Sequence, residues 1–411
     1  MRTPWIMRAL WAVSLLFLAL WLYSALKARA LPQEAAAYFT GEFLEKSLAR
    51  AKPAYVNSGL STLASFVVLY LVARWSSRGP ILSALFGGSV TPGRAALLGL
   101  CLGGGAALLL SVVSLPFGIY GFYLDRAFNL STMQLPAWLV DYAKNVFLSV
   151  ATYSLAASFA AWAVARFPQT WHLVLGGSFV VASLVISALY PVLIAPMFNT
   201  FHPLPEGSVL QDVRELASAA GMQVDNVLVM EASAKTVRAN AYFAGVGATK
   251  QLVLYDTLLS SHSREEIRLV VAHELGHWRH GHLVKSVLIS SSGVLAALWV
   301  FWLSLLHSAG ASPAAGTGLT HLAIERLLVT LFVFAALAGY SLSPASSYIS
   351  RRFEVQSDAY SLALTGDRPA FISSQVNLAR SNLGDVDPPS FIRWFAWTHP
   401  TTLERIRSAS R

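Results

Sequence analysis

Residues 271–277 read Val-Ala-His273-Glu274-Leu-Gly-His277, an H-E-x-x-H pattern. On a helix, residues four apart share a face, so His273 and His277 can offer two imidazoles to one metal ion. Glu274 stands beside them, placed to take a proton from a metal-bound water. Zinc (Zn2+), one ion per chain, is the default for such a nitrogen-rich site. It is held at His–Zn distances of roughly 2.0–2.1 Å and lowers the pKa of its water to about 7. A five-residue pattern also arises by chance on ordinary helix surface. Here the surroundings favour chemistry. Ser263-Arg264-Glu265-Glu266 has the S-x-x-E spacing of a capping box, which predicts a helix from Arg264, and no Pro follows until Pro313.

Two histidines do not complete the site, because a catalytic zinc takes three protein ligands and a water. A third His three residues beyond a Gly is one option. The chain nearly offers it in His277-Trp-Arg-His280-Gly281-His282, but the register is off by one, which leaves His280 and His282 on the surface or behind the ligands. A carboxylate from a later helix is the other. Glu354 can ligate, and Asp358, one turn on, can accept the free ring N–H of a ligand His. The plain alternative is a solvated acidic pair beside Arg351 and Arg352. Glu265 and Glu266 lie too close to the motif on its own helix, and Glu325 lies near the far end of an apolar run.

The elements that must carry this site are mostly apolar. Only 12% of the 411 residues are charged and mean hydropathy is +0.54, against about 25% charged in soluble domains. The net charge of +9 is dispersed and mostly Arg, flanking apolar spans, which argues against nucleic acid as partner and for a lipid bilayer. Cys101, the single cysteine, reads as a small buried hydrophobe. Membrane spans are expected at about 9–26, 60–75, 95–119, 145–165 and 173–195, then at 284–306 and 322–343. The first could instead be a signal peptide ending near Ala28-Arg29-Ala30, but its apolar run is long for one. Residues 30–57 read as a polar connector, 121–143 as a charged segment and 310–316 as a loop.

An N-terminal membrane part, 1–196, thus precedes a part, 197–411, that holds the motif and the last two spans. In the latter, Pro203-Leu-Pro205-Glu-Gly reads as a turn, 206–220 as a helix, and 224–230, 239–246 and 251–255 as strands of a small hairpin or sheet. Of the 30 Lys and Arg, only Arg2, Arg8, Arg74, Arg78, Arg94, Arg166 and Arg326 fall opposite the motif. The positive-inside rule then turns the motif to the cytoplasm. The Arg-over-Lys, Ala-rich composition suggests a GC-rich bacterial source, and so an inner-membrane location.

Taken together, several blocks resemble the integral-membrane CAAX prenyl protease type 1 family, zinc metalloendopeptidases of the gluzincin kind. They are Pro191-Val-Leu-Ile-Ala-Pro196-Met-Phe-Asn199, Asn240-Ala-Tyr-Phe-Ala-Gly, Leu252-Val-Leu-Tyr-Asp256, the His273 motif, Arg351-Arg-Phe-Glu354-Val-Gln-Ser-Asp358 and Thr398-His399-Pro400…Glu404-Arg405-Ile406. The resemblance implies seven transmembrane helices around a water-filled chamber, with a small α+β metalloprotease domain capping it. It implies His273, His277 and Glu354 as ligands, Glu274 as general base, Asp358 behind the ligands and His399 at the oxyanion. Asn240 would hold the substrate backbone, and Arg405 would bind substrate or serve as a structural ion pair. Family members release C-terminal CAAX tripeptides from prenylated proteins, so the implied partner is a peptide or protein, prenylated or not. A membrane quality-control protease is a rival within the class. A non-catalytic scaffold or transporter is a rival outside it, opposed by the intact Glu274, Glu354 and Asp358 and by the few charges inside the spans.

Overall fold

The protein is described by a computed structural model over residues 4–309 and 320–410, and long helices carry most of it. From the N-terminus come α1 (Trp5–Leu26), α2 (Gly41–Arg78), α3 (Pro92–Ala127), α4 (Leu135–Arg166) and α5 (Trp171–Leu189). A π-helical turn (Tyr190–Ile194), which contains Pro191, joins α5 to α6 (Ala195–Phe198). Next comes a small α/β section: β1 (Phe201–Pro203), α7 (Ser208–Ala219), β2 (Val227–Met230), β3 (Ala241–Ala244), β4 (Gln251–Tyr255), α8 (Asp256–Ser261) and α9 (Arg264–Arg279). Two long helices, α10 (His282–Ala309) and α11 (His321–Thr365), are followed by α12 (Arg368–Ser381), α13 (Ser390–Ala396) and α14 (Thr402–Ala409). Seven of these helices, counting α5 and α6 as one, are long and apolar enough to cross a membrane. Only a helix or a closed barrel satisfies every backbone group in hydrocarbon, which is why the apolar runs take this form.

The helices outrun the apolar stretches that mark them. Thr40 caps α2, its hydroxyl accepting from Phe43 N at 3.3 Å, so the expected connector is helical from Gly41 onward. Residues 121–143 likewise lie mostly on the end of α3 and the start of α4. The seventh span does not end at 343. Helix α11 continues through Pro344 to Thr365 and stops at Gly366, whose φ of 67° suits a residue without Cβ. A helix leaving a bilayer gains no further apolar side chains, so hydropathy loses it while its hydrogen bonds continue. Cys101 is exposed on α3 rather than buried, because its helix packs on α4 through Gly99 and Gly103 instead. The expected 310–316 loop lies outside the described residues.

Helix packing runs from α1 through α2, α3, α4, α5 and α10 back to α1, and α11 contacts α1, α2, α3 and α4. At the end away from the H-E-x-x-H motif, Leu98 of α3, Ala161 of α4, Phe301 of α10 and Ile324 and Leu337 of α11 form one buried core that closes the ring. Helix α1 is built into the fold at both ends. Met7 and Leu18 join that core, and Trp21 and Ala25 pack with Ile392 and Phe395.

The sheet has strand order β1-β2-β4-β3. Strand β2 runs parallel to β4, and β1 and β3 flank them antiparallel. The sequence reading missed β1, because its Pro203 belongs to a turn signature. Proline is tolerated there because β1 is an edge. Leu252 and Leu254 pack beneath Ile267, Val271, Ala272 and Leu275 of α9, so the sheet and the metal-motif helix share one core.

Candidate metal centre

Helix α9 begins where its capping box demands. Ser263 Oγ accepts from Glu266 N at 3.3 Å, and Glu266 Oε2 accepts from Ser263 N at 3.0 Å. Glu266 also takes Asn377 Nδ2 at 2.6 Å and the Ser373 hydroxyl, so it anchors α12 and is no ligand. Glu325, the other alternative, accepts backbone N–H from Ile81, Leu82 and Ser83 at 2.7 Å each, at the far end of α11.

Two turns into α9, His273 and His277 face α11. Their Nε2 atoms lie 3.1 Å apart. Glu354 comes between them, Oε2 3.2 Å from His273 Nε2 and Oε1 3.3 Å from His277 Nε2. The three residues each offer one atom within 4.8 Å of the others. Gly276 allows this approach: a Cβ there would sit 3.0 Å from the Ser357 Cα. Glu354 Oε2 is buried without a hydrogen bond. Two imidazole nitrogens and a carboxylate converging on one point, with an orphaned carboxylate oxygen among them, fit a metal ion of the zinc type.

The outer nitrogens of the two histidines are held differently. His273 Nδ1 meets Asp358 Oδ1 at 2.9 Å, and Asp358 is in turn gripped by Arg405 through both carboxylate oxygens, Nε to Oδ2 at 2.9 Å. Arg405 is thus turned toward Asp358, as a structural ion pair. Burial pulls the His273 imidazole pKa down, but the Asp358 and Glu354 carboxylates prevail and hold it up at about 9. His277 Nδ1 lies 3.0 Å from His282 Nδ1, and His282 Nε2 lies 3.0 Å from Gln356 Oε1. His282 is buried and stacked on Phe353 with ring centroids 4.2 Å apart. Gly281, at φ 62°, breaks α9 from α10 and folds His282 back. Of the two places the sequence left open for His282, the surface or behind the ligands, the structure gives the second. His280 stacks on it at 5.5 Å and has no contact with the ligand nitrogens.

Glu274 points the other way, toward the sheet. Its Oε2 accepts the Phe243 N–H at 3.3 Å. Burial pushes its carboxyl up, partly opposed by the two histidines. Since Phe243 donates to Glu274 rather than across the ladder, the free edge of β3 faces the site. Asn240 immediately precedes that edge and is exposed, its carbonyl taking Tyr255 N at 3.1 Å. His399 stands on the open side with 55% of its side chain exposed and Nε2 3.4 Å from Glu354 Oε1. Its loop is clamped to α11, where Ser347 Oγ donates to Phe395 O at 3.0 Å and Arg351 reaches the Arg393 carbonyl at 3.1 Å and that of Trp397.

Known proteins share this arrangement in sequence. Residues 203–411 match the model of peptidase family M48. Residues 6–200 match the model described as CAAX prenyl protease N-terminal, five membrane helices. An uncharacterized metalloprotease of Bacillus subtilis, YhfN, is 30% identical over 319 residues, 74% of this chain and 71% of that one. CAAX prenyl protease 1 of Saccharomyces cerevisiae is 28% identical, covering 75% and 71%. The Arabidopsis thaliana homolog of CAAX prenyl protease 1 is 28% identical, covering 94% and 91%. The crystal structure of S. mikatae Ste24p superposes with a TM-score of 0.81 at 24% identity, covering 99% of both chains, which shows a common fold.

Proposed function

From the premise that the chain belongs to peptidase family M48, and so is an integral-membrane metalloendopeptidase, we propose that it is zinc-dependent and releases C-terminal tripeptides from CAAX-type, prenylated substrates. The observation that carries the reading is the His273–His277–Glu354 cluster with Glu274 beside it, at the open edge of β3. His273, His277 and Glu354 hold the zinc. When bound, zinc supplies Lewis acidity toward water and the scissile carbonyl.

The remaining chemistry belongs to the chain. The substrate adds to β3 as an extended strand, with Asn240 at the end of that edge. Glu274, raised by burial, takes the proton of the attacking water and hands it to the leaving amine. His399 Nε2, on the open side of the cluster, donates to the oxygen on which charge develops. Asp358, held by Arg405, fixes the tautomer and orientation of His273. The site lies at the mouth of a ring of seven spans that a hydrophobic core closes at the opposite end, which suits a chamber open on one side. The distribution of Lys and Arg supports the cytoplasm as that side.

The test is a farnesylated CAAX peptide and its unprenylated twin, offered to sealed membrane vesicles of both orientations. The expected result is chelator-sensitive release of the tripeptide from the farnesylated peptide, in inside-out vesicles. Cutting of the twin at the same rate removes the prenyl requirement. Cutting only in right-side-out vesicles reverses the orientation.

A further inference from the structure

In an antiparallel ladder, alternate residues turn both backbone groups toward the partner strand, and the residues between them turn both away. Asn240 gives its carbonyl to Tyr255 N at 3.1 Å, so Asn240 and Tyr242 face β4 while Ala241 and Phe243 face the open edge. Ala239 faces that edge as well, and its groups are taken. Its N–H donates to Asn382 Oδ1 at 3.0 Å, and its carbonyl accepts from Asn382 Nδ2 at 3.2 Å. The Phe243 N–H is taken by Glu274 at 3.3 Å. Between these two points Ala241 turns its N–H and C=O to the groove that it lines with His273 and Glu274. A side-chain amide carries the same N–H and C=O pair as a peptide bond. Asn382 therefore occupies the place that a residue of an added strand would take opposite Ala239.

Asn382 is firmly braced in that place. It ends α12, one turn beyond Leu378, which lines the groove. The helix closes in a Schellman turn, with Gly384 N–H donating to Ala379 O at 2.8 Å and Leu383 N–H to Arg380 O at 3.2 Å. The position that glycine usually fills in this turn holds Leu383, at φ 45°. Left-handed backbone is costly for a residue with a Cβ, and strain of this kind collects at working sites. Helix α2 holds the turn from outside: Ser47 Oγ donates to Gly384 O at 2.8 Å and the Tyr55 hydroxyl to Asp385 Oδ2 at 2.9 Å.

A peptide adding antiparallel to β3 bonds Ala241 with a residue beside the scissile bond, and its C-terminal residues run back toward Ala239. The residue about two further on would need the Ala239 groups, and Asn382 already holds them. We propose that Asn382 is a specificity-determining residue that closes the substrate edge and so limits how far a substrate runs beyond the scissile bond. The proposal rests on the peptidase reading above and gives it a physical basis for release of a short C-terminal piece. A chain that continues past this point must leave the edge and forgo its strand pairing there.

The test compares a farnesylated CAAX peptide with the same peptide continued by four residues, following cleavage at the same bond by mass spectrometry. In the wild type, kcat/KM favours the shorter peptide by at least roughly tenfold. Asn382→Ala frees both Ala239 groups for the longer chain. Two hydrogen bonds are enough to bring the ratio down about tenfold, toward one, through faster cutting of the longer peptide. If Asn382→Ala does not fold, Asn382→Asp reads the same point. It gives up only the bond to the Ala239 carbonyl, so the ratio falls part of the way. Equal cutting of the two peptides by the wild type, or a ratio unchanged in the variant that folds, overturns the inference while leaving the peptidase reading intact. A proportionate loss on both peptides also overturns it, since that marks Asn382 as a structural tie alone. Failure of the wild type to cut either peptide counts against the peptidase reading itself, and the inference falls with it.

Discussion

His273 and His277 present the same nitrogen to one point, but their supports are opposite in kind. His273 leans on a carboxylate buried with Arg405, while His277 leans on a second imidazole. For His277 to bind metal through Nε2, its Nδ1 must carry the proton and donate to His282 Nδ1. The remaining His282 proton then sits on Nε2 and donates to Gln356 Oε1 at 3.0 Å. His282→Ala removes the acceptor that fixes this tautomer, so metal affinity should fall about 10–100-fold. A competition titration of the metal-free protein with zinc reads this directly, and unchanged affinity counts against the role. The titration has a pH dependence of known sign. Without metal, His273 keeps its proton up to about pH 9, so zinc must displace it and apparent affinity rises with pH toward that value. At this scale the sequence was informative wherever spacing along one helix decides geometry: His273 with His277, and Glu354 with Asp358. It left His282 either on the surface or behind the ligands, because its place there arises from a chain reversal at Gly281 that spacing along one helix does not show.

Among elements, the α3–α4 pair shows most plainly how the sequence sets the packing. A Cβ added at Gly103 would collide with the Tyr153 carbonyl, and one at Gly99 with that of Ala157. These glycines, one turn apart, let two helices touch backbone to backbone, the arrangement small residues permit in lipid. Gly103→Leu should separate the pair and cost about 1–3 kcal/mol or more, because the obstacle is backbone and cannot swing aside. A lowered thermal midpoint in detergent checks this, and an unchanged midpoint contradicts the contact. The start of α9 was legible to the residue, since its capping box fixes it, but its end before Gly281 was not. The ends of α2 and α11 were not, because hydropathy reports where a helix meets lipid and not where its hydrogen bonds stop. The long α11 matters to function. By continuing past the apolar stretch as one helix, it carries Glu354 and Asp358 to α9 on the same rigid rod that anchors in the closed end of the ring.

For the whole molecule, the architecture separates two solvents. The buried core near Phe301 and Leu337 shuts one end of the helix ring, and the sheet with α9 and α12 gathers the polar chemistry at the other. The seven apolar runs made this division legible. The closing core was not, because its residues come from all seven spanning helices and no single segment announces them. The account stands on Glu274 acting as base next to a zinc that it does not ligate. The most direct measurement is therefore zinc content and peptide cleavage of purified Glu274→Gln beside the wild type. Both should hold about one zinc per chain, as the ligand set His273, His277 and Glu354 requires. The variant should lose at least roughly 10²–10⁴-fold in turnover. Undiminished cleavage by Glu274→Gln, or an active wild type that carries no zinc, would contradict it.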